Sequence, residues 1–150
     1  MKNILNALLS GMGASVIIGI LALVDFSNNN IALLMAPFGA TAVLVFGVPT
    51  SPLAQAKNVV FGHLITAFIG VFFVAYVGVS PFNIALATGL SITVMMLTKT
   101  THPPAGANPI LIMLTSQTWD FLIFPVLIGA LIIVTFGKAY NYGVLFIGKQ

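Results

Sequence analysis

Arginine, glutamate and cysteine are absent from the 150 residues, and aspartate occurs twice. Without cysteine there is no thiolate nucleophile, no Fe–S cluster and no disulfide framework. With two carboxylates in the whole chain, acid–base catalysis and metal ligation lack their usual partners. Charged residues make up 5% of the sequence, against about 25% in an ordinary soluble domain, while hydrophobic residues make up 59% and the mean hydropathy is +1.14. Such a chain cannot cover a water-facing surface, so it reads as an all-α integral membrane protein. The net charge of +3 comes from five lysines placed singly; no basic run points to nucleic acid. Met1-Lys2 before an apolar run resembles a leader, but no small-x-small cleavage site follows, and the run reads as the first membrane helix.

A spanning helix needs about 20 apolar residues. Six segments suggest themselves, at 4–24, 31–48, 59–77, 82–97, 104–114 and 121–136. Segment one carries Gly11, Gly13, Ser15 and Gly19, a face that lets another helix come close. Asp25 and Ser27-Asn28-Asn29-Asn30 form a polar turn. Segment two is interrupted by Pro37 and Gly39, and segment five is too short to span alone. Segment three has His63 near its start and Gly62, Thr66 and Gly70 as a small-residue stripe. Trp119 suits an interface anchor, and the tail 139–150, with its apolar Val144-Leu145-Phe146-Ile147 patch, reads as lying along the membrane surface. With the N-terminus inside, six crossings put Lys2, Lys57, Lys99, Lys138 and Lys149 on the cytoplasmic side and both Asp25 and Asp120 outside. Four crossings would put Lys57 and Lys99 outside, so the positive-inside rule favours six.

The chain also repeats itself. An ungapped offset of 67 pairs Pro37 with Pro104, Gly39 with Gly106, Ala40 with Ala107, Leu44 with Leu111 and Val59 with Val126. It continues through Gly62 with Gly129, Leu64 with Leu131, Ile65 with Ile132 and Gly70 with Gly137. Three segments per copy make the second copy enter from the opposite face. The expected architecture is therefore one transmembrane domain over 1–150 built from two inverted three-segment repeats, at about 4–78 and about 79–145.

Segments two and five then become related half-helices that start near mid-membrane. The second begins at Thr98-Lys99-Thr100-Thr101-His102-Pro103-Pro104-Ala105-Gly106-Ala107-Asn108-Pro109. Paired prolines keep His102 extended and suit the first turn of a helix. Free N–H groups on Ala105, Gly106 and Ala107 would face the lead-in, with the positive end of the helix dipole. That chemistry suits an anion. The first copy, Ala36-Pro37-Phe38-Gly39-Ala40-Thr41, follows apolar Leu33-Leu34-Met35, so the outer approach is expected to be greasy and the cytoplasmic one polar.

His102-Pro103-Pro104-Ala105-Gly106-Ala107 resembles the signature of the HPP family of small integral membrane proteins. Ala36-Pro37-Phe38-Gly39-Ala40-Thr41-Ala42-Val43-Leu44, Ser51-Pro52-Leu53-Ala54-Gln55, Asn58 and Gly62-His63 resemble its other blocks, in the same order and over nearly the whole chain. The family is described as having four membrane helices, and its cyanobacterial and plastid members are associated with nitrite transport. Ala56-Lys57 stands where the family often has Pro-Arg; lysine keeps the charge but not the bidentate fork.

The resemblance and the half-helices together imply a transporter or channel for a small monovalent anion, nitrite first among candidates, with a structural membrane subunit as the alternative. No enzymatic activity, cofactor or metal is expected. The substrate-binding candidates are Pro37, Phe38, Gly39, Ala40, Thr41, Thr101, His102, Ala105, Gly106, Ala107 and Asn108, with Lys57, His63 and Lys99 in gating or electrostatic roles. An unperturbed imidazole titrates near neutral pH, so protonation of His102 is expected to couple to anion binding. His63 is expected to hydrogen-bond at the interface. The expected partners are the anion, the bilayer and a second copy in a homo-oligomer, a dimer; the expected location is the inner membrane of a bacterium, both termini cytoplasmic.

Overall fold

The computed structural model describes residues 2–27 and 32–147, and among them every regular element is helical. Asn28, Asn29, Asn30 and Lys149 lie outside the described residues. Helix α1 (Lys2–Ser27) buries one narrow stripe, Gly13, Ile17 and Leu21, and leaves Leu8, Met12, Val16, Ile20 and Leu23 exposed. A helix apolar on every face belongs in lipid. Helix α2 (Pro37–Gly47) is short, and its last turn widens to π geometry over Val43–Gly47. A single turn at Pro52–Ala54 leads into α3 (Ala56–Val77), which packs against every later helix. Helix α4 (Pro81–Leu97) follows a Ser80 cap, whose hydroxyl accepts from the Asn83 N–H at 3.1 Å. A tight 3-10 stretch, Pro103–Ala107, runs into α5 (Asn108–Leu114). Turns at Trp119–Leu122 and Ile123–Leu127, broken at Phe124, lead to α6 (Ile128–Ile147).

Three helical stretches, Ile4–Ser27, Ala56–Val77 and Trp119–Val144, are long and apolar enough to cross a membrane, and Pro37–Gly47 and Pro81–Leu97 are shorter apolar helices. The first half of the chain thus has a short helix between two long ones, and the second half has the shorter α4 and α5 before one long helix.

Several boundaries differ from the sequence reading. Helix α1 continues through Asp25, because its carboxylate accepts from the N–H groups of Leu33 and Leu34 and so belongs to the turn as a cap on the lead-in. Helix α6 does not stop at Gly137. Tyr140 donates to the Leu9 carbonyl and Asn141 to the Val45 carbonyl, each at 2.8 Å, so the stretch read as a surface tail is held in the bundle through Asn141. On α1 only Gly13 makes a close approach, to Phe46 and Tyr140; Gly11 and Gly19 face open space.

The glycines of α3 and α6 are used crosswise. A Cβ on Gly62 of α3 would meet Thr100 O at 3.0 Å, and a Cβ on Gly129 of α6 would meet Leu33 O at 2.9 Å. Farther along, Gly70 lies against Ile112 of α5, and Gly137 against Val45 of α2. Leu33 and Thr100, like Val45 and Ile112, stand 67 residues apart, as the glycines do. Each long helix therefore seats the half-helix of the other half of the chain.

Candidate functional site: a buried histidine–threonine–histidine network

Helix α4 ends with Lys99 in the left-handed region at φ 54. Thr100 N–H reaches back to Met95 O at 2.9 Å and Lys99 N–H to Met96 O at 3.2 Å, a Schellman closure normally made with glycine. The chain then runs extended through His102 (φ −136, ψ 99) into the Pro103-Pro104 pair. This lead-in is clamped on two sides. Asn58 Nδ2 donates to the Thr101 carbonyl at 3.0 Å, and His102 Nδ1 donates to the Leu53 carbonyl at 2.8 Å. Gly62 leaves room for the His102 Cβ, which an added Cβ would meet at 2.9 Å.

That clamp brings His102 Nε2 to 3.0 Å from Thr41 Oγ1 on α2, and His63 Nε2 of α3 lies 2.8 Å from the same oxygen. The imidazole rings are 5.0 Å apart, nearly edge to face, and the edge of Phe38 covers His63 at 5.2 Å. On the far side of His63, Asn108 Nδ2 lies 3.1 Å from Nδ1, 3.0 Å from the His63 carbonyl and 2.9 Å from Thr66 Oγ1. Thr66 passes its own proton to the Gly62 carbonyl at 2.9 Å. Thr41, His63, Thr66, His102 and Asn108 are all completely buried. Thr41 and Asn108 stand 67 residues apart, and they grip His63 from opposite sides.

The predicted residues divide into three groups. Thr41, His63, His102 and Asn108 come together in this network, with Phe38 and Ala105 buried in the packing beside it. Ala40 and Ala107, with Pro37, Pro103 and Pro104, line a cavity of about 830 Å³ on the other side of the half-helices; Gly39 and Gly106 face open space. Lys57 and Lys99 are exposed. Thr101 contributes only its carbonyl, to Asn58.

Four expectations need correction. His63 is a core residue, not an interfacial one, because Gly62 and Gly70 let the second half-helix close over α3. His102 does not line the open cavity, since the clamp turns its ring inward. The Ala105 N–H is not free: it is spent on the His102 carbonyl at 3.0 Å, as Phe38 and Gly39 spend theirs on Met35 and Ala36. The outer approach is not uniformly greasy either. A second cavity, of about 820 Å³, is lined by Leu34, Met35 and Ala36, but also by Gln117, Thr118 and Asp120. The turn read as a loop between segments forms one of its walls.

Thr66 and the Leu53 carbonyl are the network members that the sequence reading missed. Thr66 stands three residues after His63, on the same helical face, and was legible as a hydrogen-bonding position rather than as packing. Leu53 stands in the Ser51–Gln55 block, but nothing in that block marks its carbonyl as the partner of His102, which the fold brings to it. Asn108 Oδ1 and Ser91 Oγ are buried without partners. Among the described residues no cluster of three or more metal-ligating side chains is present.

Residues 1–145 match the HPP transmembrane-region family. A transmembrane protein of Dictyostelium discoideum is 40% identical, the match covering 81% of this chain and 47% of that protein. A second transmembrane protein of the same organism is 38% identical over 74% of this chain and 40% of its own length. The chain thus spans about half the length of the curated relatives it matches, or less. No solved structure matches. A match over nearly its whole length places this chain in the HPP family of integral membrane proteins.

Proposed function

We propose that the chain is a membrane transporter or channel for a small monovalent anion, with nitrite first among candidates, and that the two halves form an inverted repeat around the path. One observation carries the reading. Under the repeat, His63 corresponds to Ala130 and His102 to Met35, and both counterparts are buried. The same packing is therefore built once with Ala and Met and once with two imidazoles. Packing alone does not require the histidines. Polar groups inside a membrane bundle are costly and mark function. The network holds donors and imidazoles but no carboxylate, so it can become positive and not negative, which suits an anion. Nitrite is what the family resemblance adds.

The crosswise glycine contacts support the repeat, and the singly placed lysines support six crossings with both termini cytoplasmic. The expected setting is the cytoplasmic membrane of a bacterium. The paired N–H groups shift the expected source of positive charge from bare helix ends to His102. Transport, not catalysis, is the reading throughout. The alternative, a structural subunit, takes the network as glue between helices.

Gly106→Val separates the two readings. Gly106 is half-buried and nothing lies within 4 Å of an added Cβ, so the variant is expected to fold. In proteoliposomes, wild type is expected to move at least one of nitrite, nitrate, formate and chloride, and Gly106→Val to slow that movement tenfold or more. Absence of any anion flux in the wild type would remove the transport reading.

A further inference from the structure

Thr41 Oγ1 has three neighbours, His63 Nε2, His102 Nε2 and the Pro37 carbonyl at 3.2 Å, and one proton to give. We propose that His63, Thr41 and His102 form a site for a single proton, taken up at His102 Nε2, with the Thr41 hydroxyl turning between His102 and the Pro37 carbonyl as its switch.

The surroundings set the protonation pattern. The Leu53 carbonyl can only accept, so His102 Nδ1 carries hydrogen and, in the neutral ring, Nε2 is bare. The Asn108 amide is oriented by the His63 carbonyl, which would face an oxygen if the amide were turned over. Its NH2 group therefore faces His63 Nδ1, which must be bare, leaving the hydrogen on Nε2. His63 then donates to Thr41, and Thr41 donates to His102. The hydrogen bonds all point one way, ending at Leu53.

Adding one proton has a single outcome that keeps every N–H and hydroxyl of the His63–Thr41–His102 chain paired. His63 Nδ1 cannot take it, because an N–H would meet the Asn108 NH2. His102 Nε2 can, because Thr41 Oγ1 has a second lone pair to accept the new N–H. The hydroxyl hydrogen then turns to the Pro37 carbonyl. One N–H bond forms on His102, no covalent bond breaks, and the charge rises by one.

No fixed charge is built in beside it. The ionisable groups of α3 are His63 itself, Lys57, which is exposed, and Tyr76, which is exposed near the far end of the helix. Helix α2, the Pro52–Ala54 turn, α4, the Pro103–Ala107 stretch and α5 contain no ionisable side chain, and Lys99 on the loop after α4, Asp120 on the Trp119–Leu122 turn and Lys138 on α6 are exposed. The countercharge must come from outside. Resting on the anion reading, the substrate supplies it, so that proton and anion enter the bundle together as the two parts of a weak acid. Pro37 links the two regions: its carbonyl faces Thr41, and its ring lines the cavity between the half-helices.

The switch is tested apart from transport by 15N NMR of histidine-labelled protein in detergent between pH 3 and 8, with His63→Gln and His102→Gln assigning the signals. Neutral protein should show His63 as the Nε2–H tautomer and His102 as the Nδ1–H tautomer, with His102 alone gaining a proton on acidification. Thr41→Val removes the acceptor for the new N–H and should lower the His102 midpoint by one pH unit or more, a tenfold loss of proton affinity; Thr41→Ser should restore it. Two histidines titrating together, or an unchanged midpoint in Thr41→Val, overturns the switch. In proteoliposomes, nitrite uptake should rise toward acidic pH in wild type and Thr41→Ser and stay flat in Thr41→Val. If the NMR pattern holds but no anion moves, the switch stands and the transport reading falls.

Discussion

The lead-in strands of the two half-helices occupy related places and differ in chemistry. Leu33-Leu34-Met35 sits on Gly129 of α6, and Thr100-Thr101-His102 sits on Gly62 of α3, each with a backbone carbonyl at the glycine. The first is tied by Asp25 through its N–H groups, the second by Asn58 and the His102 ring. Met35 is buried in the apolar core, while His102 is buried in a hydrogen-bond network. The lesson is that the two lead-ins share one backbone seating against a glycine and differ in the polarity placed on it.

The strongest way to break the comparison is through its glycines. Gly62→Ala and Gly129→Ala should each destabilise by about 1–3 kcal/mol, because a backbone carbonyl blocks the added methyl on both sides. Denaturant unfolding in detergent measures this, with Gly39→Ala as a control whose Cβ meets nothing. Equal losses at the two sites support the shared scaffold; a loss at one alone breaks the correspondence.

Making the polar side resemble the apolar one comes next. His102→Met should remain folded, losing on the order of 1 kcal/mol from the unpaired Leu53 carbonyl, while anion flux falls at least tenfold. Full flux in a folded His102→Met protein would reduce the network to packing.

The αL position of Lys99 sharpens the comparison at smaller scale. Glycine there relieves the left-handed strain, so Lys99→Gly should stabilise by about 1 kcal/mol, whereas Lys99→Ala should not. Thermal unfolding of both variants decides it. The smallest effect is expected at Asp120, in the outer cavity with Met35 and Ala36. Asp120→Asn should raise anion uptake from that side roughly twofold at low salt and by nothing measurable at high salt. A salt-independent change would point to packing instead of charge.

Much of this was legible in the sequence because its signals are local or periodic. Hydropathy marked the long helices, and Pro37 and the Pro103-Pro104 pair marked the half-helix starts. The 67-residue offset named Thr41 and Asn108 as counterparts before any contact was seen. What stayed hidden needed three dimensions. No periodicity says that a Gly62 stripe receives the other half's half-helix instead of a second copy. That choice carried His63 from an expected interface into the core. Helix α6 ran past Gly137 for a related reason: the carbonyl that Asn141 reaches belongs to the widened turn of α2, and turn geometry of that kind leaves no mark in composition.

The crosswise seating has a consequence for how the chain comes to be folded during synthesis. When the ribosome has delivered residues through α3, the glycines that receive α2 are still unmade, since they lie on α6. Phe38 and Val45 then lack their seats at Gly129 and Gly137, and the Gly62 and Gly70 stripe stands bare in the bilayer. The first half therefore waits as an unfinished intermediate, and only when α6 inserts do both half-helices find their seats. Final assembly falls on α6, so truncations within it should be cleared by membrane proteases as readily as truncations that remove a whole half.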